Sequence, residues 1–224
     1  NVSIYAGYEG DLEMNTFKKF ANEMPFLEAN FLLYNTEKSS DIFAGAEAEL
    51  TKGIRLNAGF SMASLKRLPF FTNSITDSAR FEVLYDTDAT DRVNVFGEVV
   101  FEKPQVVRSS LRLDFYNYKL ATLANPYHKP QFKATANITA KPIDKLTLTT
   151  DIYFIEGLYG LNRETNVETN MDDIFDLNFQ GTYSFTEQIG VFLQLNNLFG
   201  KEYQRFLNYS NRGIQFLAGV SISF

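Results

Sequence analysis

The 224-residue chain contains no cysteine and no tryptophan. Without cysteine, neither a disulfide framework nor a thiolate metal site is available. His128 is the sole histidine, which leaves little for imidazole-based metal binding or catalysis. No stretch approaches the roughly 18 consecutive apolar residues of a membrane-spanning helix. Positive charge is also in short supply. There are 21 Lys and Arg against 27 Asp and Glu, a formal net charge of −6, which argues against nucleic acid as a partner. No signal peptide is visible, and Asn1 begins in mid-pattern, so a processed or truncated chain is expected.

Aromatics, by contrast, are abundant, with 22 Phe and 12 Tyr, and apolar residues alternate with polar ones along most of the chain. In the last segment Ile214, Phe216, Ala218, Val220, Ile222 and Phe224 alternate with Gln215, Leu217, Gly219, Ser221 and Ser223. A strand sends successive side chains to opposite faces, so such a segment has one apolar face and one polar or crowded face. The same period recurs over 188–199, 173–185, 144–155, 131–140, 106–118, 92–102, 54–64, 40–50 and 2–9. Segment 173–185 is the cleanest. Its Asp176, Asn178, Gln180, Thr182 and Ser184 share one face, too many polar groups for the inside of a soluble core.

Connection lengths form a second pattern. Tight turns are expected at Thr51–Gly53, Lys103–Gln105, Pro142–Asp144 and Thr186–Gln188. Long connections are expected over 10–38, 65–90, 119–130, 157–172 and 200–212. Short and long alternate strictly, as in outer-membrane barrels with short periplasmic turns and long extracellular loops. Arg80–Tyr85 reads as one more strand, but as a spanning strand it would invert every earlier turn. It is therefore expected to be an excursion within the 65–90 loop. Strands of about 11–14 residues exceed the ~9–11 that a bilayer requires. Phe101, Phe185 and Phe224 lie by short turns, whereas Phe60, Phe115, Phe132 and Phe154 lie by long loops, as two interfacial girdles would. The expected fold is all-β: one domain over 1–224, an antiparallel up-and-down transmembrane β-barrel segment of about ten strands with long extracellular loops.

The final alternating strand with its terminal Phe resembles the C-terminal signal that outer-membrane assembly machinery reads. Phe216, Val220, Ile222 and Phe224 would carry that signal. The stretch Asn197-Leu198-Phe199-Gly200-Lys201-Glu202-Tyr203, followed by Tyr209 and Gly213–Phe224, resembles the end of a TonB-dependent receptor barrel. Asn22–Leu27, Asn35–Ser39 and Tyr127–Gln131 resemble runs found in barrels of the Bacteroidetes type. The resemblance implies a bacterial outer-membrane location and uptake of a bulky ligand. Its implied partners are outer-membrane lipids, the barrel-assembly machinery, a plug domain, an energy-coupling protein and a surface lipoprotein. This chain has no room for the family's N-terminal plug, so it is expected to be the C-terminal portion of a larger barrel. The alternatives are a structural platform for partner lipoproteins and a free-standing ten-stranded rim enzyme around His128.

Among candidate functional residues, Glu47, Glu49, Arg55, Glu98, Glu102, Arg108, Arg112, Asp114, Lys133, Asp151 and Asp176 are expected to face the lumen. Charges of both signs there would pair with one another or line water. His128 lies in the 119–130 loop without a patterned nucleophile or base, and a lone loop histidine is expected to face solvent. Asp86, Asp88 and Asp91 supply oxygen ligands but lack the glycine and distal glutamate of a calcium loop, so turn formation explains them better. No catalytic, cofactor or metal residue is assigned. Residues 16–24 should form a short helix capped by Thr16 and stopped by Pro25, with Phe17, Phe20, Ala21 and Met24 on its apolar face. Packing on its own loop is the default for that helix. Covering the barrel mouth or docking a lipoprotein are the alternatives.

Overall fold

The computed structural model describes residues 1–222. Ten antiparallel strands form one meander: β1 (Val2–Glu13), β2 (Thr36–Thr51), β3 (Ile54–Asn73), β4 (Phe81–Lys103), β5 (Val107–Lys119), β6 (Phe132–Ile143), β7 (Leu146–Glu156), β10 (Ile174–Ser184), β11 (Ile189–Asn196) and β14 (Gln215–Ile222). A small hairpin, β8 (Tyr159–Asn162) and β9 (Val167–Asn170), joins the sheet at β3 through Asn73 and Asn162. The connection after β11 carries a second one, β12 (Gln204–Phe206) with β13 (Tyr209–Ser210). β1 and β14 are the two ends of the path and do not pair with each other among the described residues. Ten strands therefore do not close on themselves here. Phe224, the last residue of the expected assembly signal, lies outside the described residues. Phe216, Val220 and Ile222 are exposed along β14.

The register makes the two faces explicit, because directly opposed residues share a face. One row runs Val2, Ala48, Leu56, Val99, Leu111, Ala136, Ile152 and Leu177. Another runs Phe179, Leu195 and Phe216. This face is largely apolar, with Ser109, Asn117 and Thr150 as polar exceptions, yet open to its surroundings: Ile4 is 80% exposed, Val2 71% and Phe216 67%. Phe115, Phe132 and Phe154 lie in series along it, with ring centroids 4.5 and 5.9 Å apart.

The opposite face carries the row Glu47, Asn57, Glu98, Arg112, Thr135, Tyr153 and Asp176. Each short turn is tight. Gly53, for example, adopts φ +85 between β2 and β3, where a side chain would strike the Glu102 carbonyl.

Two expectations need correction. Strand lengths are not uniform: β3 and β4 have 20 and 23 residues, β11 and β14 only 8 each. The 65–90 segment is also not a long loop. β3 and β4 continue upward as a paired hairpin as far as Asn73 and Phe81, so only 74–80 connects them. Arg80–Tyr85 is neither a separate spanning strand nor a loop excursion, since Phe81–Tyr85 is the outer end of β4. A bulge hides this continuity. Arg67, at φ +57, faces the two residues Thr87 and Asp88 between the pairs Lys66–Ala89 and Leu68–Asp86. Such an insertion breaks the alternation that a sequence reading relies on.

Above the bulge the hairpin is covered on both sides. Leu68 and Phe70 pack with Tyr127 and Leu161, while Phe71 and Phe81 pack with Phe20, Met24 and Leu27. Phe20 and Met24 belong to helix α1 (Phe17–Glu23) and its C-terminal cap. The Thr16 side chain accepts from the Lys19 amide at 3.1 Å. The helix thus packs on the β3–β4 hairpin rather than only on its own loop. A third cluster joins Leu158, Met171, Ile174 and Leu207. All three clusters lie at the long-connection end of the sheet, where they form a cap.

Candidate functional site

The site has two parts, the polar sheet face and the cap above it. On the sheet, Arg112 is the hub. Its Nε and Nη2 donate to both Asp114 carboxylate oxygens at 2.9 Å, the fork-to-carboxylate geometry that guanidinium favours. Its Nη1 lies 3.8 Å from Glu98, and its guanidinium stacks 4.4 Å from the Phe96 ring centroid. Arg55 pairs with Glu102 at 3.6 Å. Asp151 accepts from Asn137 at 2.5 Å, and Asp176 accepts from the Tyr203 hydroxyl at 2.5 Å. Glu47, Glu49, Arg108 and Lys133 make no ion pair among the described residues, although Lys133 is the Cα partner of Asp114. The register puts all eleven of these candidate residues on the polar face.

On that face, aromatic rings occupy the space over glycines on the neighbouring strand. A Cβ on Gly59 would meet Phe96, and one on Gly219 would meet Phe192.

In the cap, His128 is 3% exposed, which overturns the expectation of a solvent-facing residue. Leu207 donates its amide to Nε2 at 3.1 Å, so Nε2 is the unprotonated nitrogen. Nδ1 therefore carries the proton and donates to the Phe71 carbonyl at 2.7 Å. The ring packs against Phe81 and Phe206. Burial pushes its pKa down to about 4, against the pull of the Phe71 carbonyl and with help from Arg205 and Lys129. An imidazole with both nitrogens committed to backbone has neither a free lone pair nor a reachable proton. The rim-enzyme reading loses its only candidate residue.

Asp86 is likewise buried, and it is neither a cation ligand nor a plain turn residue. It accepts from Thr90 and from the amides of Ala121 and Thr122, and from the Thr122 hydroxyl. Burial works to raise its pKa, but these bonds together hold it below the ordinary carboxylate value. Asp88 and Asp91 are exposed, and no group of three metal-ligating side chains occurs among the described residues. Tyr127 donates to Glu168, and burial followed by that bond raises its phenol pKa.

Several cap residues escaped the sequence reading altogether: Arg92, Tyr118, Lys129 and Arg205. Lys129 and Arg205 lie within or beside stretches already singled out for their resemblance, which was the available signal. Arg92 had none beyond its place on the polar face of β4.

No family model matches the chain, and no curated protein matches it by sequence. Solved structures do match, over its whole length. The pyoverdine outer-membrane receptor FpvA from Pseudomonas aeruginosa, bound to pyoverdine, aligns with a TM-score of 0.70 at 12% identity, covering 100% of this chain and 34% of the receptor. The fold is that of a segment of such an outer-membrane receptor barrel. The ferric-catecholate import receptor Fiu from E. coli aligns at 0.68 and 11% identity, covering 100% and 33%. The copper transporter OprC aligns at 0.64 and 13%, covering 100% and 37%. The chain thus spans about a third of the length of the receptors it matches. The Bacteroidetes type gains no support from them.

Proposed function

We propose that the chain forms part of the wall and external cap of an outer-membrane uptake barrel of the TonB-dependent receptor type. One observation carries the reading. The long sheet leaves a broad, largely apolar face exposed and gathers its buried core at the long-connection end. Water disfavours that arrangement; lipid around the apolar face satisfies it. The polar face, with Glu47, Glu49, Arg55, Glu98, Glu102, Arg108, Arg112, Asp114, Lys133, Asp151 and Asp176, then lines the lumen. Ion-paired walls of this kind suit contact with water, a plug domain and a bulky polar ligand. The solved neighbours act on ferric chelates and copper, so chelated metal is the first ligand class to test. Phe216, Val220, Ile222 and Phe224 present the strand that assembly machinery reads. The Bacteroidetes subtype rests on segments 22–27, 35–39 and 127–131 alone.

The test is cysteine labelling of the full-length protein in intact cells. The chain has no native cysteine, so each introduced thiol within it reports one site. Ala124, Asn166 and Ser210 in long connections should react with an impermeant reagent. Lys52, Lys103 and Glu187 in tight turns should be spared, because connections alternate sides. Labelling of Lys103 together with Glu187 overturns the orientation. Uptake is read separately, as chelated-metal accumulation in cells with and without the protein.

A second reading is a platform for partner lipoproteins. Met14, Phe17, Leu32 and Leu33, all exposed in and around the first long connection, favour it. Polar substitutions there would abolish co-purification of a lipoprotein while leaving uptake intact.

A further inference from the structure

Beneath helix α1 the polar face of the sheet meets the cap in a pocket of about 200 Å³. Arg92 and Tyr118, Cα partners on β4 and β5, form its sheet side. The helix brings Lys19 and Glu23, the β5–β6 connection brings Lys129, and Glu13 comes from the end of β1.

The charges do not cancel. Lys19 is taken by Glu13 at 2.5 Å and Lys129 by Glu23 at 3.7 Å. Arg205 lies near enough for its charge to act on both Lys129 and Glu23, and its Nη1 donates only to the His128 carbonyl at 2.9 Å. Arg92 has no ion pair among the described residues, and its Nε is shut from solvent without a hydrogen-bond partner. The Arg92 guanidinium is left over on the pocket's lining, with Arg205 a second positive charge near Lys129, in a chain whose net charge is −6.

A buried N–H on a cation without an acceptor is costly, and native structures rarely leave one. A partner with acceptor atoms satisfies that N–H, and one that is also negative offsets the surplus positive charge around it. A guanidinium fork suits a planar carboxylate or a phosphate better than a point anion. The pocket far exceeds the roughly 10–15 Å³ that one water needs, yet it falls below the ~300 Å³ where drug-sized sites begin. It therefore fits a small oxyanion, or one oxyanionic substituent of a larger ligand. Its sheet side is the polar face, opposite the apolar one, so a lipid headgroup is not the source.

The geometry points to an oxyanion-binding site at Arg92, flanked by Lys129 and Tyr118 and roofed by helix α1. The site does not rest on the transport reading, since a barrel that moved nothing would still bind the anion. Purified full-length protein in detergent is titrated calorimetrically with inorganic phosphate and with citrate at low ionic strength. At least one binds, and added salt weakens it. Arg92→Gln weakens binding by roughly tenfold or more, as loss of a charge-assisted contact should, and Lys129→Gln weakens it less. Arg80→Gln, in an exposed pair with Asp77, leaves affinity unchanged. Retained heat-modifiable migration shows that each variant is folded. Failure of the native protein to bind either probe, or equal affinity in Arg92→Gln and native protein, overturns the site.

Discussion

The cap and the lower sheet are built on opposite principles. In the cap, apolar side chains are hidden and polar ones are committed: Phe81 is 0% exposed, and His128 and Asp86 have their hydrogen-bonding atoms spoken for. In the lower sheet the large apolar residues stand outside and the charges line the other face. The cap therefore behaves as a small water-soluble protein, stabilised by excluding water. The lower sheet has no core of its own and takes its stability from ladder hydrogen bonds and from the medium against its apolar face. The same substitution should have different consequences in the two regions.

The largest contrast is expected at Phe81. Phe81→Ala empties a site shared by Phe20, Phe71 and Leu27 and should cost the cap roughly 3–5 kcal/mol. Hydrogen exchange should show the long connections opening while the lower strands stay protected. Loss of protection in both regions alike would mean that cap and sheet are one cooperative unit.

Arginine on the apolar face should follow the rule of lipid, not of a protein core. At Leu177, Phe179, Leu193 or Val220 it should cost about 2–4 kcal/mol in folding into bilayers. At Asn178 or Gln194, on the polar face, the loss should be far smaller. Equal losses at both sets would break the face assignment.

His128 gives the cap a pH response of its own. Its folded pKa of about 4 lies below the ordinary 6.5. Between these values the unfolded cap binds the extra proton, so stability rises with pH across the window and is lost as pH falls through it. The full effect is on the order of 3 kcal/mol. Protease cleavage in the long connections should accelerate from pH 6.5 toward pH 4 in the native protein. In His128→Leu that acceleration should disappear, over a baseline raised by the unsatisfied Leu207 amide. An unchanged pH profile in the variant would remove His128 as its cause.

The smallest effect is expected at Arg55. Its pair with Glu102 is half exposed, so Arg55→Ala should cost no more than about 1 kcal/mol. A larger loss in bilayer stability would mean that the polar face is drier than the exposure of this pair indicates.

The lower sheet was legible because period-two alternation is a local signal. Segments 173–185 and 144–155 each carry it, and their pairing confirms it from Tyr183–Leu146 to Ile174–Ile155. Thr16 and Pro25 bounded helix α1 for equally local reasons. The hairpin above Arg67 was not legible. Leu68-Pro69-Phe70-Phe71 is buried on both faces, so it shows no alternation, and the bulge shifts the phase beneath it. Nor was the cap's core. Phe20, Phe81, His128 and Leu207 meet only in three dimensions, and no spacing along the chain announces that His128 is enclosed. Of the polar face, membership was readable from parity. Which charges meet was not, because Arg112 reaches Asp114 within its own strand and Glu98 on the neighbouring one.

The cap's wiring also sets a timetable. Sheet hairpins join neighbours in sequence, and each can zip as soon as its second strand exists. Asn73, by contrast, donates to the Leu207 carbonyl across 134 residues, and Phe206 and Tyr209 complete the cluster around Phe81. Contacts this distant are slow to form. The aromatic half-core of Phe20, Phe71 and Phe81 therefore waits uncovered until Phe206 and Tyr209 have docked on it. During that interval the chain exposes apolar surface that the finished cap conceals, and that is when association with its neighbours is easiest.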